Sequence, residues 1–405
     1  MNTPLNIFMI THKHKNAARP RSLAFSKQLV LNGHRVSLLL ISENKRFGIK
    51  EYDFEGIKVI ETPDLLWGRL RTGWDPWNIL NRILYLNKVT DHYDIIHCFE
   101  TRPCTIYPAL FFSRKNNIPI ITDWNDWWGH HGLIDVNRPN WYPFLAGWFE
   151  TYFEEAFRSK AAGLTVIATG LEQRAIKLGV KAENICHIPG GASTDHFKLI
   201  SKEECRKYAK LPLDGPILGF SSADSYLDIE IVLASLVLIV QKYPKTKLFI
   251  TGKVKDRVHD LVYKYQLSDH VIFPGFLSYE DYPIYLGSAD VFLLPMADRP
   301  YNHGRWPNKM CDYLSLARPT VSNPIGDIKT LFENYNVGLL ARWDPEDFAT
   351  KILYLLDNPA NAKEVGQNAR WVAENIYDWS ELGKKLESFY INILSQLKIH
   401  ASDNE

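Results

Sequence analysis

Short apolar runs alternate with segments of helical period along almost the whole chain, and that alternation leaves few folds open. The first half places strands at 5–10, 35–42, 57–61, 94–99, 118–123, 164–168 and 185–188, with helices near 20–32, 76–90, 104–115, 142–160 and 170–178. Thr169-Gly170-Leu171-Glu172 has capping-box spacing and opens the last of these helices. Strands and helices in strict alternation imply parallel sheets with crossover helices. The pattern breaks around 189–215, where Pro189-Gly190-Gly191-Ala192-Ser193 and Pro212-Leu213-Asp214-Gly215-Pro216 flank a charged helical piece. A second series follows, with strands at 216–221, 247–251, 271–274, 291–295, 319–323 and 338–341. After about 345 the chain reads as helix, ending in 380–397, where Leu382, Leu386, Phe389, Tyr390 and Ile393 keep helical spacing. The expectation is an α/β chain of two domains, 1–198 and 199–379, with a final helix at 380–400. Two such domains side by side imply a cleft lined by the C-terminal ends of parallel strands, where open α/β sheets bind ligands.

At 405 residues the chain can bury a core in each domain. Its formal net charge of +1, with 23% charged residues, lacks the basic excess that nonspecific nucleic-acid binding needs. Cys98, Cys104, Cys186, Cys205 and Cys311 are odd in number and scattered, which suits neither a disulfide framework nor a zinc site. A reducing cytoplasm is their natural home. The apolar run Leu5-Asn6-Ile7-Phe8-Met9-Ile10 is too short for a signal peptide, and no segment reaches about 18 apolar residues, so a soluble protein is expected. Eight of the twelve tryptophans lie before residue 150, among them Trp67, Trp74 and Trp77 around Arg69 and Arg71, then Trp124, Trp127 and Trp128. Such rings serve as packing residues, as a platform for a sugar, or as a patch on lipid headgroups. The stretch 65–78, with Gly68, Gly73 and Pro76, reads as a loop, and there the last use predicts peripheral contact with the inner membrane face.

Several chemistries are missing. The loop after the first strand, from Thr11 to Arg21, has no Gly-x-Gly-x-x-Gly, which argues against a nicotinamide dehydrogenase. Gly252-Lys253-Val254 lacks the rest of a P-loop, and neither His-Glu-x-x-His nor a metal-holding Asp-x-Asp occurs. His12 and His14 around Lys13, like His130-His131, read as solvated loop rather than metal ligands. With no metal or cofactor indicated, a diphosphate leaving group would need protein cations and helix N-termini. The second half offers both. Lys253 and Lys255 follow the strand 247–251, and Arg299, Arg305 and Lys309 cluster beyond the strand 291–295. Phe276 and Leu277, after the strand 271–274, can cover a base. A short helix begins near Pro307, pre-set for a first turn. Lys309 and Asp312, three apart, share one face near its positive end. A cation, a carboxylate and free amides there can grip a phosphate and a sugar hydroxyl together.

In order and spacing, these pieces resemble the nucleotide-sugar glycosyltransferases of the GT-B fold, specifically the retaining family 4 group, over nearly the full length. Four motifs carry the resemblance. Ile188-Pro189-Gly190-Gly191-Ala192-Ser193-Thr194-Asp195-His196-Phe197 is similar to the family's hinge segment. Lys247-Leu248-Phe249-Ile250-Thr251-Gly252 resembles its Gly-ended donor-domain strand. Phe273-Pro274-Gly275-Phe276-Leu277, with Ala289-Asp290-Val291-Phe292-Leu293-Leu294-Pro295, resembles the base-binding strand and its successor. Lys309-Met310-Cys311-Asp312-Tyr313-Leu314, ending in Arg318-Pro319-Thr320-Val321, is similar to the donor helix.

The resemblance implies two Rossmann-like domains, an N-terminal one for the acceptor and a C-terminal one for a nucleotide-diphosphate sugar, with the last helix crossing back to the first. It implies a metal-independent transfer with retention, in which Lys309 and Arg305 stabilise the leaving diphosphate as the catalytic cations. Asp312 would hold the ribose, Phe276 and Leu277 the base, and Gly252, Lys253, Ser221, His303 and Gly304 would complete the donor site. Asn125, Asp126 and His12 would face the acceptor, a glycan, a lipid-linked sugar or a small molecule. Three family contacts are replaced. Gly304 stands where a glutamate is usual, Ser221-Ser222-Ala223-Asp224-Ser225 carries no cation, and Asn125 stands nearest the usual histidine. These departures leave two alternatives, a non-catalytic nucleotide-sugar or glycan-binding protein and a GT-B sugar-nucleotide epimerase.

Overall fold

A computed structural model describes residues 3–15, 21–43, 47–64, 73–139, 141–221 and 228–402. Trp67, Gly68, Arg69 and Arg71, and the loop residues Ser222 to Ser225, lie outside the described residues. The chain forms two compact units, one of Met1–Pro189 with Trp379–Glu405 and one of Gly190–Asp378.

The first unit is built on β1 (Asn6–Thr11), β2 (Arg35–Ile41), β3 (Lys50–Phe54), β4 (Ile57–Thr62), β5 (Ile95–Phe99), β6 (Ile120–Trp124), β7 (Gly163–Val166) and β8 (Ile185–His187). They lie in the order β3-β4-β2-β1-β5-β6-β7-β8. Every pair is parallel except the hairpin β3–β4. That hairpin turns through Glu55 and Gly56, both at positive φ (54° and 79°), the combination a two-residue turn of the matching twist requires. β5 and β6 are buried at every position, as continuous apolar strands covered on both faces must be. One face packs Phe8, Leu39, Ile96 and Phe112. The other packs Ile7, Phe25, Leu38 and Ile121 against Leu382, Leu386, Phe389, Tyr390 and Ile393.

Those five belong to the helix Trp379–Ser402, which therefore completes the first unit from the far end of the chain. Its Tyr390 Oη lies 2.6 Å from His97 Nδ1 in the middle of the sheet, and burial pushes that imidazole down to about 3, so His97 is neutral. The helix Thr169–Lys177 differs from the expected capping box. Ala168, still extended, takes the cap position without a side-chain bond, and Thr169 is already helical. A true capping box sits instead at Ser201, whose Oγ accepts from Glu204 N at 3.2 Å while Glu204 Oε2 accepts from Ser201 N.

The second unit has β9 (Ile217–Ser221), β10 (Lys247–Thr251), β11 (Val271–Gly275), β12 (Val291–Leu294), β13 (Thr320–Ser322) and β14 (Gly338–Leu340). The order is β11-β10-β9-β12-β13-β14, parallel throughout. Leu218, Leu236, Leu248, Val291, Phe348 and Ile352 anchor a core wholly inside this unit.

Candidate functional site

In the second sheet the chain runs outward from β9 through β10 to β11, then returns to lay β12 on the other side of β9. This reversal opens a crevice beyond the carboxyl ends of β9 and β12, the place where open parallel sheets take ligands. Ser221 ends β9, and the helix Asn308–Ser315 follows β12 and a short turn. Pro307 is its cap, extended at ψ 102°, and the first helical residue is Asn308.

The helix is seated by a close backbone approach. Gly190 lies so near its start that an added Cβ would collide with Asn308 Oδ1 and come within 2.8 Å of Trp306 Cδ1. Cys311 Sγ donates to Gly190 O at 3.0 Å, and the Trp306 ring stacks on Tyr377 with centroids 4.9 Å apart. Asp312 is buried and accepts from Tyr282 Oη at 3.2 Å. With that proton committed, Ser221 Oγ donates to Tyr282 Oη at 2.7 Å. Ser221 N donates to Tyr313 Oη at 2.8 Å, and the Tyr313 ring stacks on Phe292 at 4.0 Å. Two tyrosines thus fix the carboxylate and the strand end against each other.

Lys309 extends over the Phe220 ring, 5.0 Å from its centroid. Burial and the nearby Arg305 push its ammonium down to about 8, against the pull of Asp228 and Asp312. Arg305 lies over the Tyr301 ring at 5.5 Å. Its Nε is buried with no hydrogen-bond partner, and among the described residues neither Arg305 nor Lys309 makes an ion pair. Two close cations, partly desolvated and unanswered, form a place suited to an anion of charge greater than one.

The other expected donor contacts stand along the same edge. Gly252, at φ +93°, follows β10 and donates its N–H to Gly275 O at 2.8 Å; Lys253 beside it is exposed. After β11, the Phe276 ring is 91% exposed and Leu277 half-buried. His303 is turned to Asp298, Nε2 to Oδ1 2.7 Å, while Gly304 is buried and donates to Pro300 O. Lys309, Arg305, Asp312 and Ser221 therefore come together at the crevice. Gly252, Lys253, Phe276 and Leu277 occupy the neighbouring strand ends.

In the first unit the reversal falls between β1 and β5. His12, buried, follows β1, and Asn125 and Asp126, half-buried, follow β6. The sequence reading missed what lies between them. Glu100 follows β5 at φ +68°, and burial holds its carboxyl above the usual range despite Arg102, Arg158 and Lys13. Arg102 is held down by burial and supported by Glu100 and Asp126, with its guanidinium 5.6 Å from the Trp128 ring. Gly73 closes on this group: an added Cβ would lie 2.9 Å from Arg102 Cδ and 3.0 Å from His12 Cβ. The available signal was a Glu-x-Arg after an otherwise apolar strand. Among the described residues no three or more His, Cys, Asp or Glu side chains are grouped to hold a metal ion.

Residues 201–372 match the model of the glycosyl transferases group 1, and residues 22–196 match that of glycosyltransferase family 4. No curated protein matches the chain. Among solved structures it is similar to a sucrose-phosphate synthase from Thermosynechococcus elongatus, with TM-score 0.77, 18% identity, and 97% of this chain and 100% of that one covered. A glycosyltransferase from Rickettsia africae gives 0.73 at 16% identity, covering 97% and 99%. Anabaena HepE in complex with UDP gives 0.70 at 13% identity, covering 95% and 99%. At these identities the likeness concerns the fold.

Proposed function

The chain belongs to the family 4-like glycosyltransferases of the GT-B fold, and we propose that it moves a sugar from a nucleotide-diphosphate donor, held by the second unit, to an acceptor recognised by the first. One observation carries the donor reading: Lys309 and Arg305, two cations with no ion-pair partner among the described residues, stand beside the buried Asp312 at the reversal of the second sheet. A diphosphate answers the cations and a ribose hydroxyl suits the carboxylate.

In the reaction the bond from the anomeric carbon to the diphosphate oxygen breaks, and negative charge gathers on the departing phosphate. Lys309 and Arg305 meet that charge in a partly dry site, where such contacts lower a barrier most. No metal is needed in this scheme, because the two side chains supply the positive charge. Retention is the stereochemistry the family resemblance implies. Glu100, Arg102, Asn125, Asp126 and His12 are the groups offered to the acceptor, whether a glycan, a lipid-linked sugar or a small molecule. A cytoplasmic location suits such a donor. Within the segment 65–78 expected to contact a membrane, Trp74 and Trp77 are the tryptophans among the described residues.

The test is a donor panel led by UDP, the nucleotide in the HepE structure, read first by thermal shift with and without magnesium. A nucleotide at a hundred times its Kd stabilises by about 2.7 kcal/mol, several degrees for a unit of this size. Lys309→Ala should then cut kcat about 100-fold or more with little change in Tm, since removing one such donor costs about 2.7–4 kcal/mol of barrier. Near-normal turnover from a well-folded variant would defeat the assignment. The anomer formed, read by NMR, tests retention. Binding without transfer is the second reading, favoured by Ser221 and Gly304 where the family has polar contacts; tight nucleotide binding with no release from any donor sugar would establish it.

A further inference from the structure

The helix Trp141–Glu155 is inverted relative to an ordinary surface helix. Its exposed stripe is apolar, with Trp141 61% exposed, Phe144 86%, Leu145 60%, Trp148 64% and Tyr152 49%. These positions follow the i, i+3, i+4, i+7, i+11 spacing of one helix face. Its inward side carries acids instead, and they are satisfied. Glu150 accepts from Tyr142 Oη at 2.9 Å, and Glu154 accepts from Trp124 Nε1 and Trp128 N, each at 2.9 Å. The outward apolar face is thus a consequence of where the polar groups are anchored.

Two neighbouring helices extend it. Ile79 from Pro76–Lys88, Tyr107 from Pro103–Asn116, and Trp148 and Phe149 line a hollow of about 410 Å³. A second hollow of about 840 Å³ shares Ile79, Tyr107 and Tyr152 and ends at Arg114 and Lys115. Trp77, Leu80 and Leu84 add exposed apolar surface along the first of these helices.

Charge identifies the occupant. Neither Pro76–Lys88 nor Pro103–Asn116 contains a carboxylate. In Trp141–Glu155 the acids are the buried Glu150 and Glu154, and Glu155, which pairs with Arg174. The exposed charges on the three helices are Lys88, Arg114 and Lys115, all positive. We propose that this face docks on an anionic phospholipid bilayer, with Phe144, Trp148 and their neighbours at the headgroup–acyl boundary and the three cations on the headgroups. A second copy fits poorly, since a two-fold pairing of these helices would set cations against cations with no exposed carboxylate on the three helices to meet them. The inference does not rest on the transferase reading.

The experiment is co-sedimentation of the full chain with vesicles of phosphatidylcholine, with and without about one-third phosphatidylglycerol. Binding is expected only with the anionic lipid and should weaken with added salt. Arg114→Gln with Lys115→Gln should lower the partition coefficient about tenfold or more. Phe144→Ser with Trp148→Ser should abolish it, and these solvent-facing positions leave the melting temperature a fair check of folding. On the unaltered protein, brominated acyl chains should quench tryptophan fluorescence, and Trp148→Phe should remove part of that quenching. Absent vesicle binding, binding indifferent to salt and to both double variants, or a concentration-dependent dimer broken by the same substitutions would overturn the proposal. No arm reads sugar transfer, so its failure and that of the transferase reading are separable.

Discussion

Lys309 shows how a single residue is tuned before any ligand arrives. Its pKa is lowered from 10.5 to about 8 by burial and by Arg305. Between those two values the unfolded chain holds the proton that the folded chain releases, so this group's contribution to stability rises as pH increases across that window and is unfavourable below it. In the proposed donor site a bound diphosphate would reverse the sign by favouring the ammonium. Nucleotide binding near pH 8.5 should therefore take up protons, measurable by calorimetry in buffers of different ionisation enthalpy. kcat/KM should fall as pH rises through about 8, and Lys309→Arg should abolish both effects if it folds. Proton uptake that survives Lys309→Arg would place the titrating group elsewhere. Lys309 and Asp312 were legible in the sequence because one helical turn joins them. Tyr282 and Tyr313, which hold Asp312 and Ser221, were not. Tyr282 meets Asp312 across 30 residues of sequence, and only the packing of the sheet brings them to 3.2 Å.

The elements were legible where burial dictates their composition. β5, Ile-Ile-His-Cys-Phe, could hardly be anything but a strand buried on both faces. β3, Lys-Glu-Tyr-Asp-Phe, was missed because it is an edge strand, held by one neighbour and largely exposed, so its sequence carries little apolar signal. The capping box was misplaced for a related reason: the four-residue pattern also fits Thr169-Gly170-Leu171-Glu172, but tertiary structure keeps Ala168 extended and starts the helix at Thr169. The seat of the Asn308–Ser315 helix belongs to this scale as well. Gly190 has no positive φ, so its lack of a side chain serves contact rather than backbone conformation. Gly190→Ala should push Trp306, which is buried, and shift the helix start. Overpacking of this kind costs about 1–3 kcal/mol, and donor affinity should fall with the melting temperature. If nucleotide affinity stays unchanged while stability drops, the helix start has no part in donor binding.

At the scale of the molecule, the chain leaves the first unit at Pro189 and returns to it at Trp379. The last helix buries Leu382, Leu386, Phe389, Tyr390 and Ile393 in the first unit's core. At about 1.5–3 kcal/mol for each large apolar side chain, as an upper bound, their loss rivals the whole stability of a domain. A chain ending at Asp378 should therefore lose the first unit's unfolding transition. The second unit differs, because its six strands and the core around Leu236, Leu248 and Phe348 lie wholly within Gly190–Asp378. The proposed donor groups, Ser221, Arg305, Lys309 and Asp312, lie within it too. The fragment Gly190–Asp378 should fold alone, melt cooperatively and bind the same nucleotide as the full chain with a Kd within about tenfold, while transferring nothing. Calorimetry and a thermal-shift titration would decide it. A folded fragment that ignores every nucleotide the full chain binds would show that the cations around Lys309 are insufficient, and the donor reading built on them would fall.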